Sequence, residues 1–270
     1  MEYITPIDGP YITHGGKKLL DFSSHDFLGL AQNPEIKKAA IKCTLKCGVG
    51  VPVSPLGSDL QKQTEGKLAH YLGKEAALIF PTYEEVKAIL KKKAGALDIS
   101  YELGIVGESG FGSYKDEIVF GTLSYGVGCS GSFIAGTKKA VTGWTPSEPM
   151  SYPALGAIDS ALSFIPELGP ERQTVEKNKK WLAQLLKKYP AKMEKSPKAI
   201  LEFDSAPEAQ KTRELLQNDQ IFLAPPVENT LYIAVTALHT PDDLDQLTQA
   251  LKKFSATDWA LLTQSLTPTP

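Results

Sequence analysis

Short apolar segments alternate with amphipathic ones along this chain, and that alternation restricts its fold more than any single motif. AALIF (76–80), EIVFGTL (117–123), SFIAG (132–136), KAILEF (198–203), IFLA (221–224) and LYIAV (231–235) read as buried strands. Helical patterns fill 34–47, 58–72, 83–93, 154–164, 171–188, 207–217 and 241–254. The order predicts an α/β domain around a buried sheet with helices on both faces, then a small C-terminal α+β domain. Ser58 is an N-cap candidate, ahead of a stripe formed by Leu60, Leu68 and Leu72. Thr240-Pro241-Asp242-Asp243 combines a cap with proline in the first turn, and Gly48 should stop the first helix. Residues 83–93 put acids first and lysines last, as the helix dipole prefers. Residues 1–33 read as an irregular arm, 48–57 as turns and 187–198 as a solvated lysine-rich connection.

With 42% hydrophobic residues over 270, the chain can bury a real core, which excludes a disordered tail. The net charge of -2 offers no basic field for nucleic acid or an anionic membrane. The longest apolar run, ALGAIDSALSFI, is too short to span a bilayer and carries Asp159. MEYITPIDGP lacks the basic and apolar regions of a signal peptide. Three cysteines, Cys43, Cys47 and Cys129, suit a reducing compartment. The expectation is a soluble cytoplasmic protein.

Isolated motifs carry little chemistry. Gly126-Val-Gly128-Cys-Ser-Gly131 spells a dinucleotide fingerprint, but a strand follows it directly and no acid stands where the ribose would need one. A tight turn between strands is the better reading. Cys43 and Cys47 share a helix face, yet two thiols do not make a zinc site, and His14, His25, His70 and His239 are scattered. GESGFG (107–112) has phenylalanine where a nucleophile elbow requires glycine. His25-Asp26 lacks a nucleophile signature, and Glu84-Glu85 reads as a solvated helix start.

Longer strings say more. DFSSHDFLGL (21–30), GVGVPVSPLGSDL (48–60), LAHYLGKEAALIF (68–80), the stretch 84–112, IVFGTLSYGVGCSGSFIAGTKKA (118–140) and PPVENTLYIAVTALHTPDDLDQL (225–247) follow one another in the order of the α-oxoamine synthases. The chain resembles that family across nearly its whole length. The resemblance implies a truncated fold-type-I sheet, pyridoxal phosphate as cofactor, and the joining of an amino acid to an acyl-CoA with loss of CO₂. It implies domains at 1–33 (arm), 34–165 (remnant of the large domain) and 166–270 (small domain).

By family position, Asp98 pairs with the pyridine nitrogen, Tyr101 stands where the family's D-E-A-H-S-x-G pattern has its histidine, Thr122 and Ser124 belong to the cofactor segment, and the ring-stacking histidine falls in the missing stretch. Tyr125 replaces the Schiff-base lysine, and a phenol forms no imine. Lys138 and Lys139 lie a strand's length away in sequence. The strand holding Thr230, Leu231 and Tyr232 lacks the carboxylate-binding arginine, and Val53 stands where a second arginine is usual. Arg172 and Arg213 are the only arginines, and both read as exposed helix residues. Near 81–83, on the order of one hundred residues are missing relative to the family, a small domain's worth.

The expected function is therefore a non-catalytic, shortened homologue, with no residue in a catalytic role and no covalent cofactor. Its expected partner is a second copy or a full-length family member, because serine palmitoyltransferase pairs a catalytic chain with a lysine-less one. Two alternatives stand: an active acyltransferase completed by another lysine or subunit, and a repurposed interaction protein or decayed product.

Overall fold

A computed structural model describes residues 3–6, 8–51, 58–91, 95–115 and 117–253. The chain divides into two units. One is Asp26–Arg172; the other combines the residues through His25 with those from Gln173 onward. Of the segment 1–33, expected as a separate arm, the residues through His25 are grouped with the C-terminal residues and 26–33 with the other unit.

That segment is not irregular. It forms β1 (Thr5–Pro6), β2 (Tyr11–His14) and β3 (Lys17–Asp21). Strands β2 and β3 pair antiparallel with His14 opposite Lys17. The two residues between them, Gly15 and Gly16, both have positive φ, which is what a two-residue hairpin turn of matching twist requires.

Unit Asp26–Arg172 begins with α1 (Pro34–Cys47). Asn33 caps it, accepting from the Glu35 and Ile36 N–H groups, and Gly48 ends it by donating to the Thr44 carbonyl. Helix α2 (Asp59–Tyr71) starts at Ser58, whose hydroxyl accepts from Gln61 N–H as expected. Its buried face is Gln61, Thr64, Leu68 and Ala69, while Leu60 is only half-buried. The face is rotated because Gln61 and Thr64 have partners inside: Gln61 donates to Glu65, and Thr64 to the Leu60 carbonyl.

Then come β4 (Ala76–Phe80), α3 (Tyr83–Leu90), β5 (Ala96–Asp98), β6 (Ile118–Thr122) and β7 (Ser132–Gly136). A short α4 (Lys138–Val141) and the long α5 (Tyr152–Phe164) complete the unit. The sheet has the order β4-β7-β6-β5. Pairs β4–β7 and β7–β6 are antiparallel, and only β5–β6 is parallel. Helix α1 packs on α5 closely enough that a side chain at Gly156 would lie 2.5 Å from the Cys43 sulfur. Helix α3 sets Val86 and Leu90 against Ile118 and Ile134. Turn residues 126–131 join β6 to β7, so the glycine fingerprint is a strand connection.

The other unit adds α6 (Gly169–Leu185, from Gln173 on), β8 (Ala191–Met193), β9 (Lys198–Glu202), α7 (Ala206–Asn218), β10 (Ile221–Phe222), β11 (Thr230–Ala234) and α8 (Pro241–Lys252). Its sheets run β1-β2-β3-β10 and β11-β9-β8. Strand β8 corrects the reading of 187–198 as solvated connection. Lys198 is buried there, paired with Glu194 at 3.1 Å and lying over the Tyr232 ring. A lysine stem can line a core when its amine keeps a partner. Thr240 forms the expected cap, a full capping box with Asp243.

Both arginines depart from expectation. Arg172 is 8% exposed and Arg213 3%. Arg172 donates to the carbonyls of Ile165 (2.6 Å), Glu108 (2.6 Å) and Pro166 (3.1 Å). Arg213 donates through Nε to Leu223 (2.8 Å) and lies over the Phe222 ring. Backbone carbonyls that accept from the guanidinium groups make burial tolerable.

Candidate functional site

The residues assigned by family position gather at one end of the four-stranded sheet. Asp98 closes β5 and Thr122 closes β6, and β5 runs parallel to β6, so both side chains emerge at the same end. The turns that follow carry Ser100, Tyr101, Ser124 and Tyr125. With Tyr83 and Glu84 from the first turn of α3, they line a cavity of about 290 Å³.

Two loops are pressed together to build it. A Cβ on Gly126 would lie 1.7 Å from the Leu103 carbonyl oxygen, and one on Gly104 would lie 2.8 Å from the Gly126 oxygen. Only glycine permits backbones to meet this closely. That approach brings the Tyr101 and Tyr125 rings together at 4.9 Å between centroids and 28° between planes.

A chain of hydrogen bonds links Tyr83, Asp98, Ser100, Thr122 and Ser124. Asp98 Oδ1 accepts from Ser100 N–H (2.9 Å) and Ser100 Oγ–H (2.6 Å). Asp98 Oδ2 accepts from the Tyr83 hydroxyl. Ser100 Oγ in turn accepts from Thr122 N–H at 3.0 Å. Thr122 Oγ1 accepts from Ser124 N–H at 3.1 Å and reaches the Gly131 carbonyl at 3.2 Å. Burial and the neighbouring Asp98 push the Tyr83 phenol well above its ordinary range, so it remains a donor. The Tyr83 ring lies near parallel to that of Phe120, at 6.2 Å.

The cavity's charge is acidic. Asp98 and Glu84 line it, and no lysine, arginine or histidine among the described residues does. Lys87 lies over the Tyr83 ring, 4.9 Å from its centroid, and 3.7 Å from Glu84. Lys138 and Lys139 are exposed and open α4, beyond Gly136. Gly136 pairs with Ile118, the opposite end of β6 from Thr122, about 13 Å along the strand. Val53 lies outside the described residues.

Tyr83 and its bond to Asp98 were not anticipated. The signal was available only as proximity: residues 82–85 open a helix directly after β4, a strand of the same sheet. No group of three or more metal-ligating side chains occurs among the described residues, and no helix among them is long and apolar enough to cross a membrane.

No protein-family model matches the chain. Among curated proteins, an 8-amino-7-oxononanoate synthase of Gluconacetobacter diazotrophicus is 42% identical over 82 residues, 28% of this chain and 21% of that protein. This chain thus covers about a fifth of the first relatives it matches. A putative 8-amino-7-oxononanoate synthase of Bordetella pertussis is 23% identical over 362 positions, 93% of this chain and 90% of the relative. Since 93% of 270 residues is about 251, about 110 of those 362 positions have no counterpart here.

Solved structures share the fold. A serine palmitoyltransferase from S. paucimobilis, a lysine-to-alanine variant with a bound pyridoxal phosphate–myriocin aldimine, gives a TM-score of 0.78 at 14% identity. It covers 93% of this chain and 92% of that one. An 8-amino-7-oxononanoate synthase from Francisella tularensis gives 0.72 at 15%, covering 89% and 98%.

Proposed function

The chain fits the α-oxoamine synthase family, and from that premise we propose that it is a shortened member which does not itself catalyse acyl transfer. One observation supports the reading: the cavity lined by the residues assigned by family position has Tyr125 on its wall and no lysine among its described lining residues.

Pyridoxal phosphate supplies an electron sink to an amino acid held on it as an imine. The residues present do not fit that group. A phenol at 125 cannot form the imine. Among the described residues that line the cavity, no lysine or arginine is present to neutralise a phosphate dianion. Lys138 and Lys139 are at the wrong end of the strand. No step is therefore derived through the cofactor.

The remaining role is that of a subunit or scaffold in the cytoplasm, as a homodimer or beside a full-length family member. The about 110 positions without counterpart support a loss on the order of a small domain, which we assign to the β4–α3 join near 81–83. Size-exclusion chromatography with light scattering tests the assembly. A defined dimer, or a defined complex with a lysine-bearing relative, is expected; aggregation would point to a decayed product. Turnover of an acyl-CoA and an amino acid by the purified chain would establish the competing, active reading.

A further inference from the structure

The cavity lined by Tyr83, Tyr101 and Tyr125 carries charge of one sign, and that charge defines what it can receive. We propose that it binds an organic ammonium ion, a protonated amine with a small body, against the Asp98 carboxylate and the surrounding tyrosine rings. The proposal rests on the reading that this chain places no amine of its own in the cavity, and it adds a ligand class to that reading.

Charge is the first argument. Asp98 and Glu84 are the carboxylates of the lining, and no lysine, arginine or histidine stands among the described lining residues. Glu84 is partly answered by Lys87 at 3.7 Å, in an exposed pair of the kind that contributes little. Asp98 makes no ion pair among the described residues. Its Oδ1 accepts from Ser100 N–H and Oγ–H, and its Oδ2 accepts from the Tyr83 hydroxyl. A carboxylate offers about four lone-pair sites, so Oδ2 keeps one for a further N–H donor.

The rings are the second. A cation is attracted to the negative face of a tyrosine ring. Lys87 makes this arrangement with two of the lining residues, its ammonium 4.9 Å from the Tyr83 ring centroid and beside Glu84. Tyr101, Tyr125 and Asp98 bring the same two kinds of group to one cavity.

Shape is the third. A volume of about 290 Å³ lies at the small end of ligand pockets, which suits a small ion. The walls are set before a ligand arrives, because the backbones at Gly126 and Leu103 meet too closely to admit even a Cβ. Two carboxylates fall short of a metal centre, and no group of three or more His, Cys, Asp or Glu side chains placed to hold a metal ion occurs among the described residues. That favours an organic cation.

The test uses three probes of one size and one ring: benzylamine, a cation near neutral pH; benzyl alcohol, which is neutral; and benzoate, an anion. Ligand-detected NMR titration measures each against the purified chain. Benzylamine should saturate one site, benzyl alcohol should bind at least about five-fold more weakly, and benzoate should not bind. Asp98→Asn keeps the shape and an oxygen for Ser100, and it should weaken benzylamine about ten-fold, the worth of a hydrogen bond to a charged group. Tyr125→Leu should weaken it about three-fold through the lost ring face. Glu35→Gln removes the same charge from an exposed position outside the lining and should leave binding unchanged. Nα-acetyl-lysine amide separates the two sources of such a cation: tighter binding than benzylamine assigns the cavity to a lysine side chain of another protein, weaker binding to a free amine.

Equal binding of benzylamine and benzyl alcohol by wild type would overturn the proposal, and this comparison needs no variant. So would the absence of saturable benzylamine binding, or an Asp98→Asn chain that binds benzylamine as wild type does. Absent benzylamine binding in a chain that also forms no reducible adduct with pyridoxal phosphate would defeat this proposal alone and leave the non-catalytic reading standing. A single-lysine adduct would defeat that reading whatever benzylamine does.

Discussion

Substituting His239 by glutamine should remove a distinct share of the acid sensitivity of the unit that contains it, the buried His25 of the same unit supplying another. His239 is 3% exposed and stacks on Phe22 at 4.3 Å between centroids and 12° between planes. Its Nδ1 accepts from Thr236 N–H at 3.0 Å, so the ring proton sits on Nε2 and donates to the Asp21 carbonyl at 3.1 Å. A second proton on Nδ1 would confront the Thr236 N–H. Burial pulls the imidazole from 6.5 down to about 4. A histidine whose pKa is lowered by folding contributes stability that is present above the unfolded value and is lost as pH falls toward the folded one. The window is therefore about pH 6.5 to 4, and the full gap corresponds to about 3.4 kcal/mol. Between pH 7 and about pH 4.5, wild type should lose about 2.5 kcal/mol more than His239→Gln. Urea unfolding followed by circular dichroism at the two pH values measures this difference. Parallel pH dependences in the two proteins would refute the assignment of a neutral, doubly bonded imidazole.

Other outcomes follow from single contacts. Gly126→Ala places a methyl inside the Leu103 carbonyl and should cost about 3 kcal/mol or more in chemical denaturation, with loss of the Tyr101–Tyr125 contact seen in near-ultraviolet circular dichroism. Arg172→Met leaves the carbonyls of Ile165, Glu108 and Pro166 without their donor and should destabilise by about 3 kcal/mol; a neutral result would mean those carbonyls find water. Asp26 acts opposite in sign to His239. Burial raises its carboxyl to about 6, although it accepts from Leu30 and Ala31 N–H. Folding therefore favours its protonated form, and Asp26→Asn should flatten a component of stability that is gained as pH falls from about 6 to 4.

The elements that could be read from sequence were those whose information is local. AALIF and SFIAG became β4 and β7 because apolar runs bounded by turn residues have few other options. Ser58 and Thr240 cap helices through side chains three residues from the groups they satisfy. The hairpin at Gly15-Gly16 is equally local, since two adjacent glycines with positive φ close it. What stayed hidden depends on residues far apart in the chain. Nothing near Arg172 in sequence announces the Glu108 carbonyl, and nothing near Lys198 announces the Tyr232 ring. The site shows the same division. Asp98, Tyr101, Thr122, Ser124 and Tyr125 could be assigned by resemblance, and the sheet brings them around one cavity. Tyr83 could not, because its part depends on a helix entering directly after β4.

The central claim concerns an absent amine, and reductive trapping interrogates it most directly. The purified chain is incubated with pyridoxal 5′-phosphate, its visible absorbance recorded, borohydride added and the peptides mapped by mass spectrometry. We expect the spectrum of the free aldehyde and only sparse, substoichiometric labelling of exposed lysines. One reduced pyridoxyl group per chain at a single lysine, with a matching imine band before reduction, would contradict the account.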